Sequence, residues 1–184
     1  MKTLQRSILY FLFYTVILGI FYPTIITGIG QVFFNSQANG SVLVNAGKSV
    51  GSSLVGQEFK DKKYFWGRPS ATSTTPYNPL SSSGTNMSLT NPTLQKNLQE
   101  RVDYLGQYGS QIPVDLITAS GSGLDPEISL ASAKFQAQRV ALTRGIKIEV
   151  VLDLINRLAM KKQLGVIGEP RVNVLLINME LDKL

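Results

Sequence analysis

The chain has 184 residues and a formal net charge of +6, with 18 lysines and arginines against 12 aspartates and glutamates, and it contains neither histidine nor cysteine. Those two absences exclude serine–histidine–aspartate and cysteine–histidine catalysis, the usual zinc sites, disulfides and a lipid-bearing cysteine, so no metal site is expected. Lys2 and Arg6 aside, the excess is 16 basic over 12 acidic residues scattered along the sequence, too dilute for the basic stripe that nucleic acid requires.

From Ser7 to Gly47 there is no charged residue, and residues 8–34 form an apolar run of 27. As a helix this run would reach about 40 Å, against a hydrocarbon core of about 30 Å. Lys2 and Arg6 precede it and the next charge is Lys48. The lysine/arginine bias therefore places the N-terminus in the cytoplasm and everything after the span outside. A cleaved secretory signal would have an apolar region of only about 7–15 residues and a small-x-small site, which Ser36-Gln37-Ala38 supplies poorly. The expected division is a cytoplasmic N-terminus over 1–7, a transmembrane helix over 8–34 and one extracytoplasmic domain over 35–184, in the cell inner membrane.

Within the span, Thr15, Gly19, Pro23 and Thr27 recur every four residues. They read either as a compact stripe that lets a second helix approach or as the ordinary glycine and threonine content of a membrane helix. Pro23 removes a backbone donor and is expected to bend the outer half.

Beyond the span, alternation near Ser41–Val44 and Ser53–Phe59 predicts two short strands, followed by the aromatic cluster Tyr64-Phe65-Trp66. Ala46-Gly47-Lys48-Ser49 imitates the end of a phosphate-binding loop, but Val42 stands where that motif needs glycine. The chargeless stretch 70–92, rich in serine, threonine, asparagine and proline, has the composition of a disordered linker. Asn91-Pro92 then reads as an N-cap with proline at the first helical position, and Leu94, Leu98, Val102 and Leu105 give that helix an apolar face.

Pro113–Ala119 is compact and apolar and predicts a buried strand. In the following Ser120–Pro126 segment, Gly121, Gly123 and Asp125-Pro126 predict a tight irregular turn. Ser129 is placed to cap a helix over 130–144 closed by Gly145, and Ile148, Val151, Leu152, Ile155 and Leu158 give a second helix one apolar side, so the pair predicts a helical hairpin. Residues 172–181 predict a final strand with Leu175, Ile177, Met179 and Leu181 facing one way and Asn178, Glu180 and Asp182 facing the other. The fold class expected is α+β: one transmembrane helix followed by one domain with few strands.

The strings YFWGRPSA (64–71), YNPLSSSGTN (77–86), LTNP (89–92), PVDLITASGSGLDPEIS (113–129), FQAQRVA (135–141) and GEPRVNVLLINMELD (168–182) together resemble the KdpC subunit family of potassium-transporting P-type ATPases. The resemblance implies a complex with a potassium-conducting subunit, an ATP-hydrolysing subunit and a small stabilising subunit. In it this chain would be a non-catalytic accessory that raises the ATP affinity of the hydrolysing subunit. The family's Gln-x-Pro-Arg segment, proposed to touch ATP, corresponds to Gln136 and Arg139, with Gln138 in place of the proline; Glu127 stands where many relatives have histidine or asparagine. The motif blocks single out Gly67, Arg68, Pro69, Ser70, Gly84, Asn86, Gly121, Gly123, Leu124, Asp125 and Pro126 as structural loop positions. No cofactor is expected on the subunit alone, ATP entering only through the complex.

The charge bias and the proposed ATP contact conflict, because ATP is cytoplasmic and Gln136 is expected outside. Gln136 is therefore read as a hydrogen-bonding link between the helical hairpin and the Ser120–Pro126 loop. Two other classes of function compete with the accessory role. One is an envelope enzyme using a serine of Ser81–Ser83 or Ser120–Ser122, with a lysine or carboxylate base at no established spacing. The other is an extracytoplasmic sensor.

Overall fold

The computed structural model describes residues 2–45 and 47–184. Met1, at the start of the expected cytoplasmic segment, and Ala46, at the start of the Ala46–Ser49 string, lie outside the described residues. The chain divides into two compact units, Met1–Val42 and Leu43–Leu184.

The first unit is a helical run over Lys2–Phe33, 32 residues, long and apolar enough to cross a membrane and with none of its apolar window buried. It consists of α1 (Lys2–Val16), a π-helical turn at Ile17–Phe21, and α2 (Tyr22–Phe33), followed by the short α3 (Asn35–Ala38). Pro23 explains the π turn: its ring would clash with the carbonyl four residues back, and it has no N–H to offer. Just before it the Tyr22 N–H bonds to the Ile17 carbonyl, five residues back. Thr15 and Thr24 hydroxyls donate to the Phe11 and Ile20 carbonyls, each at 2.7 Å, and so satisfy themselves within the helix. Thr15, Gly19, Pro23 and Thr27 are all exposed.

The boundary between the units falls in β1 (Val42–Asn45), which pairs with β2 (Lys48–Ser52) in a two-stranded sheet. The strand expected at Ser53–Phe59 does not form. That segment turns at Ser52–Val55 and is held instead by single bonds, Gly56 N–H to the Leu124 carbonyl (2.8 Å) and the Gln57 amide to the Val50 carbonyl (2.9 Å). Next comes α4 (Pro92–Gly106), where Asn91 caps as expected, its side chain accepting from the Thr93 N–H at 2.8 Å. Of its predicted apolar face only Leu105 is fully buried.

Two predicted strands are helices. Val114–Ile117 is one turn, α5, launched from an extended Pro113; an apolar run this short has no periodicity by which to choose. At the C-terminus only Arg171–Asn173 is a strand, β4, antiparallel to β3 (Glu127–Ser129) with Ile128 opposite Val172. Asn173 then caps α8 (Val174–Leu181), accepting from the Leu176 N–H at 3.0 Å. Val174, Ile177, Asn178 and Leu181 are buried, a helical spacing that the alternation of polar residues at 178, 180 and 182 conceals. Asn178 therefore faces inward with Ile177 and Leu181, not away from them.

The helical hairpin forms as expected: α6 (Leu130–Arg144), capped by Ser129 and closed by Gly145 in the left-handed region (φ 67°), against α7 (Ile148–Leu158). Ala133, Ala137 and Ala141 of α6 and Val151, Leu154 and Ile155 of α7 are all buried in one core. The core continues through Leu116, Ile128, Val172, Ile177 and Leu181 to Phe65 and Trp66.

Candidate functional site

Residues 62–66 belong to no helix or strand, and they cross the buried faces of α6 and α8. Buried peptide groups need partners, and here side chains supply them. Gln136 pairs with Trp66 as a strand neighbour would, accepting from its N–H at 2.8 Å and donating to its carbonyl at 3.1 Å. Asn178 does the same for Phe65, at 2.8 and 2.9 Å. Arg139 donates to the carbonyls of Lys62 and Tyr64 and to the Gln136 side-chain oxygen, and its guanidinium lies 3.5 Å over the Trp66 ring. Arg144 donates to the Lys63 and Leu181 carbonyls, both at 2.8 Å, and pairs with Asp182 at 2.7 Å.

Gln136 is 1% exposed and Arg139 5%. Burial pulls the proton affinity of Arg139 down, with Tyr108 and Tyr104 partly opposing; the carbonyls and the Trp66 face solvate the charge in place of water. The structure thus brings together Gln136 and Arg139, the two residues for which the family resemblance implies a nucleotide role. Their partner is the aromatic segment, and the Ser120–Pro126 loop expected for Gln136 is not among its bonds. Asn178 and Arg144 complete the cluster. Asn178 was legible only had 173–181 been read as a capped helix, with Asn173 as the signal.

The loop motifs meet in a second cluster. Arg68 pairs with Asp125 at 3.1 Å and donates to the Ala119 carbonyl at 3.4 Å. The Pro69 carbonyl accepts from Ser120 N–H, and the Ser70 hydroxyl donates to the Gly123 carbonyl at 2.7 Å. Asp125 accepts from Glu127 N–H at 3.0 Å and Ser120 Oγ from Gly123 N–H at 2.9 Å, side-chain turns that hold the loop. Leu124 offers its carbonyl to Gly56, and Pro126 its carbonyl to the first residue of α8.

Close approach explains the glycines. At Gly123 (φ +69°) a Cβ would lie 2.8 Å from the Ser83 carbonyl oxygen, and at Gly67 one would lie 2.5 Å from the Tyr77 hydroxyl. Gly84 stacks on Gly121, whose carbonyl oxygen would be 3.1 Å from a Cβ there. Asn86 adopts φ 51°, a conformation asparagine tolerates better than most.

Stretch 70–92, expected as a linker, is pinned to this cluster. Tyr77 donates to the Arg68 carbonyl at 2.5 Å, Ser70 Oγ accepts from Tyr77 N–H, Thr72 Oγ1 from Asn78 N–H, and Ser82 and Ser83 donate to the Ser122 and Ala71 carbonyls. Composition overlooked this because hydroxyl and amide side chains replace the missing apolar burial. Burial pushes Tyr77 up to about 12. The candidate nucleophiles are engaged in the same scaffold: Ser81 shares a 2.6 Å bond with Ser73, and Ser122 Oγ accepts from Leu124 N–H. Ser132 and Ser129 both bond Asp115 at the start of α6, an N-terminal cap arrangement.

Residues 4–183 match the family described as K+-transporting ATPase, c chain. The potassium-transporting ATPase KdpC subunit of Methylococcus capsulatus is 50% identical over 184 residues, covering 98% of this chain and 97% of its own. That of Herpetosiphon aurantiacus is 50% identical over 175 residues (93% and 91%), and that of Paraburkholderia phytofirmans 48% over 189 (100% and 98%). A match this long, with relatives near half identity from end to end and the motif residues gathered into two clusters, means that the chain belongs to the K+-transporting ATPase c-chain, or KdpC, family.

Proposed function

We propose that this chain is a non-catalytic accessory subunit of an ATP-driven potassium pump, working beside a potassium-conducting subunit, an ATP-hydrolysing subunit and a small stabilising one. The family match over residues 4–183 carries the reading. In it, Lys2–Phe33 spans the bilayer with its N-terminus in the cytoplasm, as the basic residues Lys2 and Arg6 favour, and the domain that follows is extracytoplasmic. The face bearing Thr15, Gly19, Pro23 and Thr27 then packs on a helix of the large subunits.

The increase in ATP affinity implied by the family resemblance is, in this reading, an effect of assembly. Gln136 and Arg139 have their polar groups taken up by Trp66, Tyr64 and Lys62, which favours a structural role over contact with nucleotide. Topology is tested by cysteines at Ser82 and Lys161, which should react with membrane-impermeant thiol reagents in outer-membrane-permeabilised cells while one at Thr3 does not; reversed labelling overturns the placement. Packing is tested by Gly19→Leu, which should weaken co-purification with the large subunits more than Leu18→Phe. A Gln136→Ala subunit that folds and assembles normally, yet raises the apparent Michaelis constant of the pump for ATP, would return Gln136 to the nucleotide.

A further inference from the structure

Most arginines of the second unit have found partners: Arg68 with Asp125, Arg144 with Asp182, Arg171 with Glu127, and Arg139 with backbone carbonyls. Arg101, on α4, differs. Its Nε donates to the Leu116 carbonyl at 3.1 Å and its guanidinium lies 6.0 Å from the centre of the Tyr104 ring, but among the described residues it has no ion pair and its terminal N–H groups have no protein acceptor. It is nevertheless largely covered, and burial lowers its proton affinity. Its terminal nitrogens are nonetheless not enclosed, so they are open to an anion that enters beside them.

Arg101 separates two cavities, of about 320 and 330 Å³, and lines both, together with Pro69 and Ser70. In the second cavity Arg101 is the only charged lining residue, and Met87, Leu94, Leu98 and Ile117 supply apolar wall. This explains why Leu94 and Leu98, on the predicted apolar face of α4, remain partly exposed. In the first, Glu58 is paired with Lys60 at 3.2 Å and Arg68 with Asp125, so again Arg101 is the cation left over.

We propose that this second cavity binds a carboxylate borne on a small aliphatic body, the Arg101 guanidinium gripping the carboxylate while the aliphatic part lies on Met87, Leu94 and Leu98. One guanidinium matches one carboxylate in charge and in its two-pronged geometry. Ser70, Thr85 and Asn97 also line the cavity, but Arg101 is the one charge there, which suits a singly charged carboxylate better than a doubly charged phosphate or sulfate. The carboxylate comes either from a free organic acid or from an acidic side chain of a neighbouring polypeptide.

Trp66 is the chain's single tryptophan and lines the adjoining cavity beside Arg101, so its fluorescence is the readout. The full chain in detergent is titrated with hexanoate and with hexanamide, its neutral counterpart. Hexanoate should give a saturable change and bind about tenfold more tightly than hexanamide, the scale of a charge-assisted hydrogen bond. Arg101→Gln should abolish that difference and Arg101→Lys keep part of it. Equal curves for the two compounds on the unaltered chain, a comparison needing no variant, overturn the site, as does undiminished hexanoate binding by a folded Arg101→Gln chain. Repeating the titration on the assembled pump separates the sources: a site for a free acid still takes hexanoate, whereas a neighbour's side chain blocks it.

Discussion

Residues 62–66 and residues 70–90 are both irregular, and both are fixed, but by different means. The first is held from a distance in sequence, by Gln136, Arg139, Arg144 and Asn178 reaching out of α6 and α8 to its peptide groups. The second is held largely by hydroxyls and amides a few residues away, such as Ser70, Thr72 and Asn78, at or near the surface. A buried peptide group that loses its partner has no water to turn to, whereas an exposed hydroxyl has. Irregular backbone can thus belong to the core or to the surface, and the cost of disturbing it should follow the burial of the bond.

The largest effect is expected at Gln136 and Asn178. Gln136→Ala strands both peptide groups of Trp66 and deprives Arg139 of an acceptor, for a loss of about 3–5 kcal/mol in denaturant unfolding; Asn178→Ala should be similar. Next is Gly123→Val, where a residue that resists positive φ also meets the Ser83 carbonyl, costing about 2–4 kcal/mol by the same measurement.

Tyr77 lies between the two regimes, since its ring is covered but its segment is of the surface kind. Tyr77→Phe should cost about 1 kcal/mol at neutral pH through the bond to the Arg68 carbonyl. It should also change the alkaline profile. The Tyr77 hydroxyl is raised to about 12 in the fold, so the stability it provides is whole below the ordinary tyrosine value near 10 and is lost as pH rises from there to about 12. The phenylalanine variant should lack that decline, of order 2 kcal/mol, relative to the unaltered chain; any contribution from Arg139 is common to both and cancels.

The smallest effect is expected at the exposed Ser82, whose hydroxyl donates to the Ser122 carbonyl: Ser82→Ala should stay within about 0.5 kcal/mol. A loss there equal to that of Gln136→Ala would break the comparison between the two regions.

Where a rule of periodicity or capping had enough residues to act on, the elements were legible in sequence. The apolar run, the Asn91-Pro92 start of α4, and the Ser129 cap and Gly145 stop of α6 all rest on local chemistry. Val114–Ile117 was not legible, because four residues cannot display a period. Residues 174–181 misled because Asn178 and Glu180 alternate with apolar residues by chance of a function that alternation does not describe: Asn178 is polar and buried because Phe65 needs it. The contact between Gln136 and Trp66 spans 70 residues of chain, and no local rule foresees a partner at that distance. The ordered 70–92 stretch was hidden for the related reason that its bonds run from side chain to backbone.

The π turn before Pro23 has a geometric consequence for the helix that carries it. At about 100° per residue, twelve residues of plain α-helix would leave Thr15 and Thr27 about 120° apart around the axis. One residue absorbed without advancing the rotation brings them to within about 20°. A four-residue repeat, which drifts around an ordinary helix, is thereby straightened into a lane parallel to the axis over the length from Thr15 to Thr27. The proline thus acts as a phase corrector, and removing it along with the bulge would turn the two ends of the lane to different sides of the helix.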